Sequence, residues 1–125
     1  MTKLKRLWTG APSVDDLRAA ERYLSLLTPP AAARRLVARL RRARTVAAVA
    51  KDLLRASNLS LLPRDEAHVQ EDLKRIHKHK ALSPVLLIRG DLSAGTSLVV
   101  ADGYHRICAI CYYDEDAPVA CRIVG

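Results

Sequence analysis

Apolar positions recur with a helical period in the first part of the chain and gather into short runs in the second. Val14, Leu17, Ala20, Tyr23, Leu24 and Leu27 lie three or four residues apart, which predicts a helix over 14–27. Ser13 is a good N-cap for it, and Asp15 and Asp16 suit the positive end of its dipole. Thr28, Pro29 and Pro30 stop it, and Pro30 fits the first turn of the next helix. That second helix, over 30–43, sets Ala33, Leu36, Val37 and Leu40 on one face. A third, over 45–56, turns Val46, Val49, Ala50, Leu53 and Leu54 inward. Residues 1–12 read as an arm ending in Gly10-Ala11-Pro12, with Leu4, Leu7 and Trp8 available to pack back on the body.

The character changes at Asn58. A short apolar run over 59–62, closed by Pro63, predicts a strand. Residues 66–77 are helical, with Val69, Leu73 and Ile76 on one face. Strands follow over 84–89 and 97–101, separated by a polar loop. Asp102 and Gly103 break the second of these, and a helix runs from Tyr104 to about Tyr113. An acidic loop, Asp114-Glu115-Asp116, leads to a last strand over 119–124. The expected architecture is α+β: a helical segment of about three helices over 1–57, then a β-α-β-β-α-β domain with a small mixed sheet over 58–125.

The chain has 125 residues, half of them apolar, but no Phe and one Trp, so Leu, Val, Ala and Ile must fill the core. It has no apolar run of membrane-spanning length. The basic start lacks the apolar segment of a secretory signal, so a cytoplasmic location is expected and no membrane partner. Three cysteines, an odd number, argue against a disulfide framework. Cys108 and Cys111 have CxxC spacing within one helix, without the second pair that a zinc site needs, so small buried hydrophobes are the preferred reading. No metal site is expected from the spacing of His77 and His79 either.

Charge divides the chain unevenly. Residues 1–57 hold 13 Lys and Arg against 4 Asp and Glu, a net +9, whereas residues 58–125 carry a net −1. Arg34, Arg35, Arg41, Arg42 and Arg44 make the region of the second helix the most basic segment. Such a face suits nucleic acid or an acidic protein partner; a solvated helix surface accounts for it as well and is slightly preferred.

The strongest chemical signal is the break at Gly103. A strand that runs through a glycine straight into a helix leaves backbone N–H groups free at the positive end of a dipole, a ready anion site. Gly103 permits close approach and a positive φ. Arg106 offers a planar fork for two phosphate oxygens, which we prefer over a salt bridge to an acid such as Asp102. His105, with an unperturbed pKa of ~6.5, either contacts phosphate, acts as a general acid or base, or bonds to a loop. Asp102 is expected to cap the helix in preference to holding Mg²⁺. Tyr104 stacks on a base or packs on the core. Lys78, His79 and Lys80 read as solvated helix-end cations.

A short Pro-ended strand over 59–63 before the helix HVQEDLKRIHKH, then LSPVLLIRG, then VVADGYHRICAIC follow one another in an order that resembles the ParB/sulfiredoxin superfamily over residues 58–125. The resemblance implies a nucleoside triphosphate with Mg²⁺ as ligand. In ParB proteins this turn cradles the triphosphate of CTP; in sulfiredoxins a Gly-Cys-His-Arg turn binds ATP and supplies a catalytic Cys; in free-serine kinases an Asp-Gly-His-Thr-Arg turn binds the phosphates. Carried over by position, Gly103 is the close-approach glycine, Arg106 the phosphate cation and His105 the sulfiredoxin histidine. Tyr104 stands in place of the catalytic Cys, which removes sulfiredoxin chemistry. His68 falls on the helix that contacts nucleotide in sulfiredoxins, with Glu71 and Arg75 one and two turns on.

Three functions follow as expectations. The first is a ParB-like nucleotide-binding module that switches conformation or assembly, with a homodimer as one assembled form. The second is a small-molecule phosphotransferase or ATPase with His105 or Asp102 as catalytic residue, and Glu66 or Glu71 as other candidate bases. The third is a DNA-binding protein acting through the Arg-rich helix.

Overall fold

A computed structural model describes residues 3–125. It is α+β, with six helices among those residues and a small, open, mixed four-stranded sheet. In chain order the elements are α1 (Lys3–Leu7), α2 (Val14–Leu24), α3 (Pro30–Arg42), β1 (Val46–Val49) and α4 (Ala50–Ser57). Then come α5 (Ala67–His77), β2 (Val85–Ile88), β3 (Val99–Asp102), α6 (Tyr104–Tyr113) and β4 (Pro118–Val124). The strand order is β1-β4-β2-β3. β4 runs parallel to β2 and antiparallel to β1, while β2 and β3 are antiparallel.

Helices cover both faces of the sheet. Alternation along β2 shows why: Val85 and Leu87 join one core, and Leu86, between them, joins the other. The larger core takes Leu53, Leu54, Val69, Leu73, Ile107 and Ile110 from α4, α5 and α6. The smaller takes Leu17, Ala20, Leu24, Ala33, Val37 and Leu40 from α2 and α3. Residues 1–57 therefore supply one whole covering layer, one edge strand and, through α4, part of the other layer.

Four sequence expectations are corrected. The helix expected over 45–56 is a strand followed by a shorter helix: Val46–Val49 pairs with β4, with Val46 opposite Cys121 and Val49 opposite Pro118. β-Branched Val46 and Val49 fit that edge, and a distant partner strand overrides local helical periodicity. The strand expected over 59–62 is irregular. Its carbonyls serve side chains instead of a ladder: Ser60 accepts from the Tyr104 hydroxyl, and Leu62 from the Tyr112 hydroxyl at 2.6 Å. The N-terminal arm contains α1, and Trp8 beyond it is buried, bridging to Leu82 and donating its indole N–H to the Pro118 carbonyl at 2.8 Å. α2 ends at Leu24; Leu26 and Leu27 are exposed in the turn that follows.

Arg122 on β4 is buried and fully engaged. It donates to the Leu40 and Arg41 carbonyls at the end of α3, to the Gly10 carbonyl at 3.0 Å and to the Thr45 hydroxyl at 3.2 Å. A cation at the negative end of a helix dipole is favourable, so this contact fixes α3 to the sheet. Cys108 and Cys121 are buried and Cys111 half-buried; all three are free thiols, and burial pushes the Cys121 thiol up to about 12. No helix among the described residues is long and apolar enough to cross a membrane.

Candidate functional site at the start of α6

The N-termini of α2 and α6 meet at Arg106, that of α5 lies against His105, and the three are closed differently. α2 is closed by a capping box: Ser13 Oγ accepts from the Asp16 amide at 3.0 Å, and Asp16 Oδ2 accepts from the Ser13 amide at 3.2 Å. α5 is closed by Glu66, whose carboxylate accepts from the amides of His68 at 2.8 Å and Val69 at 3.3 Å. α6 has Gly103 at its N-cap and no side-chain cap. The Ile107 amide reaches the Gly103 carbonyl at 3.0 Å, so the amides of Tyr104, His105 and Arg106 lie ahead of the first intrahelical bond.

Only glycine fits at 103. Its φ is +113°, and a Cβ there would lie 2.5 Å from Val85 Cγ1 and 3.0 Å from Arg106 Nη2. Close packing of β2 and a left-handed backbone together produce the bare helix start.

The expectation that Asp102 caps this helix is corrected. Its carboxylate turns to Arg106, accepting from Nη2 at 3.0 Å. Arg106 Nη1 also lies 3.5 Å from Asp16 Oδ1, and Asp16 in turn accepts a short hydrogen bond from the Ser83 hydroxyl. Arg106, expected as the phosphate cation in preference to a salt bridge with Asp102, makes that salt bridge here: its side chain is 15% exposed and sits between two carboxylates. Because α2 and α6 cover opposite faces of the sheet, Arg106 ties the two layers together. Its Nε is buried with no hydrogen-bond partner.

The two acids respond oppositely. Burial raises the Asp16 carboxyl, but the Ser83 hydrogen bond, the Arg106 charge and the Ser13 contacts outweigh it and hold Asp16 below its ordinary value. At Asp102 burial prevails over Arg106, and the carboxyl lies above its ordinary value.

Beside the α6 start lies a polar cleft of about 210 Å³, lined by His68, Glu71, Asp72, Asp102, Gly103, His105 and Arg106. The structure thus brings together His68, Asp102, Gly103, His105 and Arg106 as the sequence suggested. A second, more apolar groove of about 330 Å³ flanks the same turn, lined by Tyr23, Leu59, Val100 and Tyr104 among others. The two share Asp102, Gly103 and His105. At the cleft mouth, His68 Nδ1 lies 3.0 Å from Glu66 Oε1, and His105 Nε2 lies 3.5 Å from Glu66 Oε2. The amide of His68 holds the Glu66 carboxyl below its ordinary value, against some desolvation.

Sequence reasoning missed Asp16, Asp72 and Tyr23 as members of the site. Asp72 is half-buried in the cleft, and burial raises its carboxyl above its ordinary value although Arg106 and His105 oppose this. Its spacing from His68, four residues on one helix, was a usable signal. Asp16 and Tyr23 carried none, since only the folding of α2 over β3 brings them near. The arginines at 34, 35, 41, 42 and 44 are all exposed, and none lines the cleft. Comparison with known proteins finds no matching family model, no matching curated protein and no matching solved structure.

Proposed function

We propose that the chain is a ParB-like nucleotide-binding protein whose residues 58–125 resemble a ParB/sulfiredoxin-type domain without its first strand, and whose phosphate site is the bare start of α6. The observation that carries this reading is the pairing of two unlike grooves across one uncapped helix N-terminus. The polar cleft receives phosphates, with the amides of Tyr104 to Arg106 as donors and His68 and His105 beside them. The apolar groove along Tyr23, Val100 and Tyr104 receives the base and sugar. Glu71, Asp72 and Asp102 would repel a bare polyphosphate, so the fitting form is the Mg²⁺ complex, whose cation those carboxylates oppose. Arg106 sets the turn's position and contributes field, with Nε as its spare donor.

Each nucleoside triphosphate with Mg²⁺ should be scanned for its effect on the melting temperature. At a concentration about a hundredfold above Kd the bound form gains roughly 2.7 kcal/mol, a shift of several degrees. His105→Ala should lose that shift and Tyr23→Ala should weaken it, whereas Arg106→Ala is a poor probe because it also breaks the ties to Asp16 and Asp102. If no nucleotide shifts the melting temperature, the reading fails.

A second reading, a small-molecule phosphotransferase, is favoured by Asp72. A half-buried carboxyl with a raised pKa beside the phosphate cleft is suited to take a proton from an acceptor alcohol. Transfer from a labelled nucleotide that is lost in Asp72→Asn while binding persists would establish it, and binding without turnover would reject it.

A further inference from the structure

We infer that Glu66, His68 and His105 form a binding site for one divalent first-row transition-metal ion of the Zn²⁺ type at the mouth of the cleft. The three residues come from the caps and first turns of two helices, α5 and α6, and their donor atoms all lie within 4.8 Å of one another. Ligands of an ion bound at ~2.1 Å stand about 3.0–3.4 Å apart. Each imidazole already lies near one carboxylate oxygen: His68 Nδ1 is 3.0 Å from Oε1, within that range, and His105 Nε2 is 3.5 Å from Oε2, just outside it. To share one ion, His105 and the carboxylate have to draw slightly together and the two imidazoles have to turn toward each other; the rings are neighbours, with centroids 4.8 Å apart. Both are exposed enough to rotate, at 67% for His68 and 42% for His105.

The carboxylate is the fixed member. Amide hydrogen bonds from His68 and Val69 hold Glu66 in place as the cap of α5. Each of its oxygens keeps lone-pair capacity beyond those bonds, and a ligand oriented by such outer contacts binds more strongly. Two imidazoles with one carboxylate suit Zn²⁺, Co²⁺, Ni²⁺ or Fe²⁺, and not Mg²⁺ or Ca²⁺, which take oxygen. Three protein ligands leave at least one position open, and since His68 and His105 also line the cleft, that position is within reach of an oxygen ligand lying there. The inference goes beyond the nucleotide reading and does not rest on it, since the ion is held by protein groups alone.

The test uses the full chain with metal alone. Calorimetric titration with Zn²⁺ should give one ion per chain, and Co²⁺ should give visible bands without thiolate charge transfer. His68→Ala and His105→Ala, both surface changes, should each weaken binding at least about tenfold. Glu66→Gln keeps an oxygen to cap α5 and should also weaken binding, with circular dichroism checking that the fold is intact. Cys111→Ser should bind as the parent does. The inference is overturned if the double variant His68→Ala/His105→Ala binds as tightly as the parent, if Cys111→Ser abolishes binding, or if millimolar Zn²⁺ gives no saturable binding. Nucleotide binding with Mg²⁺, measured on chain stripped of other metals by a chelator, reports on the other reading separately.

Discussion

The starts of α2 and α6 face one another across Arg106 and follow opposite plans. Both leave orphan amides at the positive end of a dipole. α2 satisfies its own: Ser13 and Asp16 close the box, and Asp16 goes on to hold Ser83 and Arg106. α6 has a carboxylate one residue before its cap and does not use it, because Asp102 is committed to Arg106. The difference teaches that capping is competitive. A neighbouring guanidinium draws the acid away from a helix end, and what it leaves is an open donor set. Arg106, by holding Asp102, leaves the helix start without a side-chain cap.

Gly103→Ala should break the contrast most severely. It adds a Cβ 2.5 Å from Val85 Cγ1 in a left-handed backbone, and the combined strain and overpacking should cost about 3 kcal/mol in urea unfolding. A loss under about 1 kcal/mol would mean that the turn is not held as described.

Asp16→Ala comes next, at about 2–3 kcal/mol near pH 7, since it removes one half of the capping box and one partner of a largely buried Arg106. Its pH dependence carries a sign. The folded pKa of Asp16 is depressed, so its contribution is present above the unfolded value of ~3.9 and is lost as pH falls through the lower folded value. The gap between parent and Asp16→Ala should therefore narrow only in strong acid. Asp102 has the opposite sign: its raised pKa gives a contribution present below the unfolded value and lost as pH rises through the folded one. Asp102→Asn should accordingly cost less than Asp16→Ala at neutral pH; a larger cost would reverse the assignment of roles.

Ser13→Ala should cost about 1 kcal/mol, whereas His105→Ala, at an uncapped start, should leave stability within about 0.5 kcal/mol. Equal losses would erase the distinction between the two ends. Smallest of all, Arg41→Ala, Arg42→Ala and Arg44→Ala together should change stability by no more than about 0.5 kcal/mol, because these side chains are exposed. The same triple variant decides the DNA reading: retardation of a duplex that falls steeply with salt and vanishes in the variant would support it, and unchanged or absent retardation would remove it.

Elements whose signals are local were legible before any coordinates. α6 runs from Tyr104 to Tyr113 as read from the Gly103 break, and α5, expected over 66–77, runs from Ala67 to His77. α3 follows its proline start and the spacing of Ala33, Val37 and Leu40. β1 was not legible, because VAAV is equally good helix until β4 arrives from the far end of the chain. Residues 59–62 misled for the converse reason: Leu59 and Leu62 are buried enough to look like strand, but the hydroxyls of Tyr104 and Tyr112 occupy the carbonyls a strand would offer. At the site, Gly103, His105 and His68 could be found from sequence order. The commitment of Arg106 and Asp102 could not, since it depends on Asp16, brought in by the packing of α2 over the sheet.

The proposed anion site at the start of α6 is best probed at its own amides. Backbone ¹H–¹⁵N spectra of the full chain should be recorded while Mg²⁺ and a nucleoside triphosphate are added. Saturable shifts should appear that are largest for the amides of Tyr104, His105 and Arg106, with those of Asp16 and the rest of the capped α2 start little changed. Saturable binding that leaves those three amides unmoved, or no binding with any of the common bases, would contradict it.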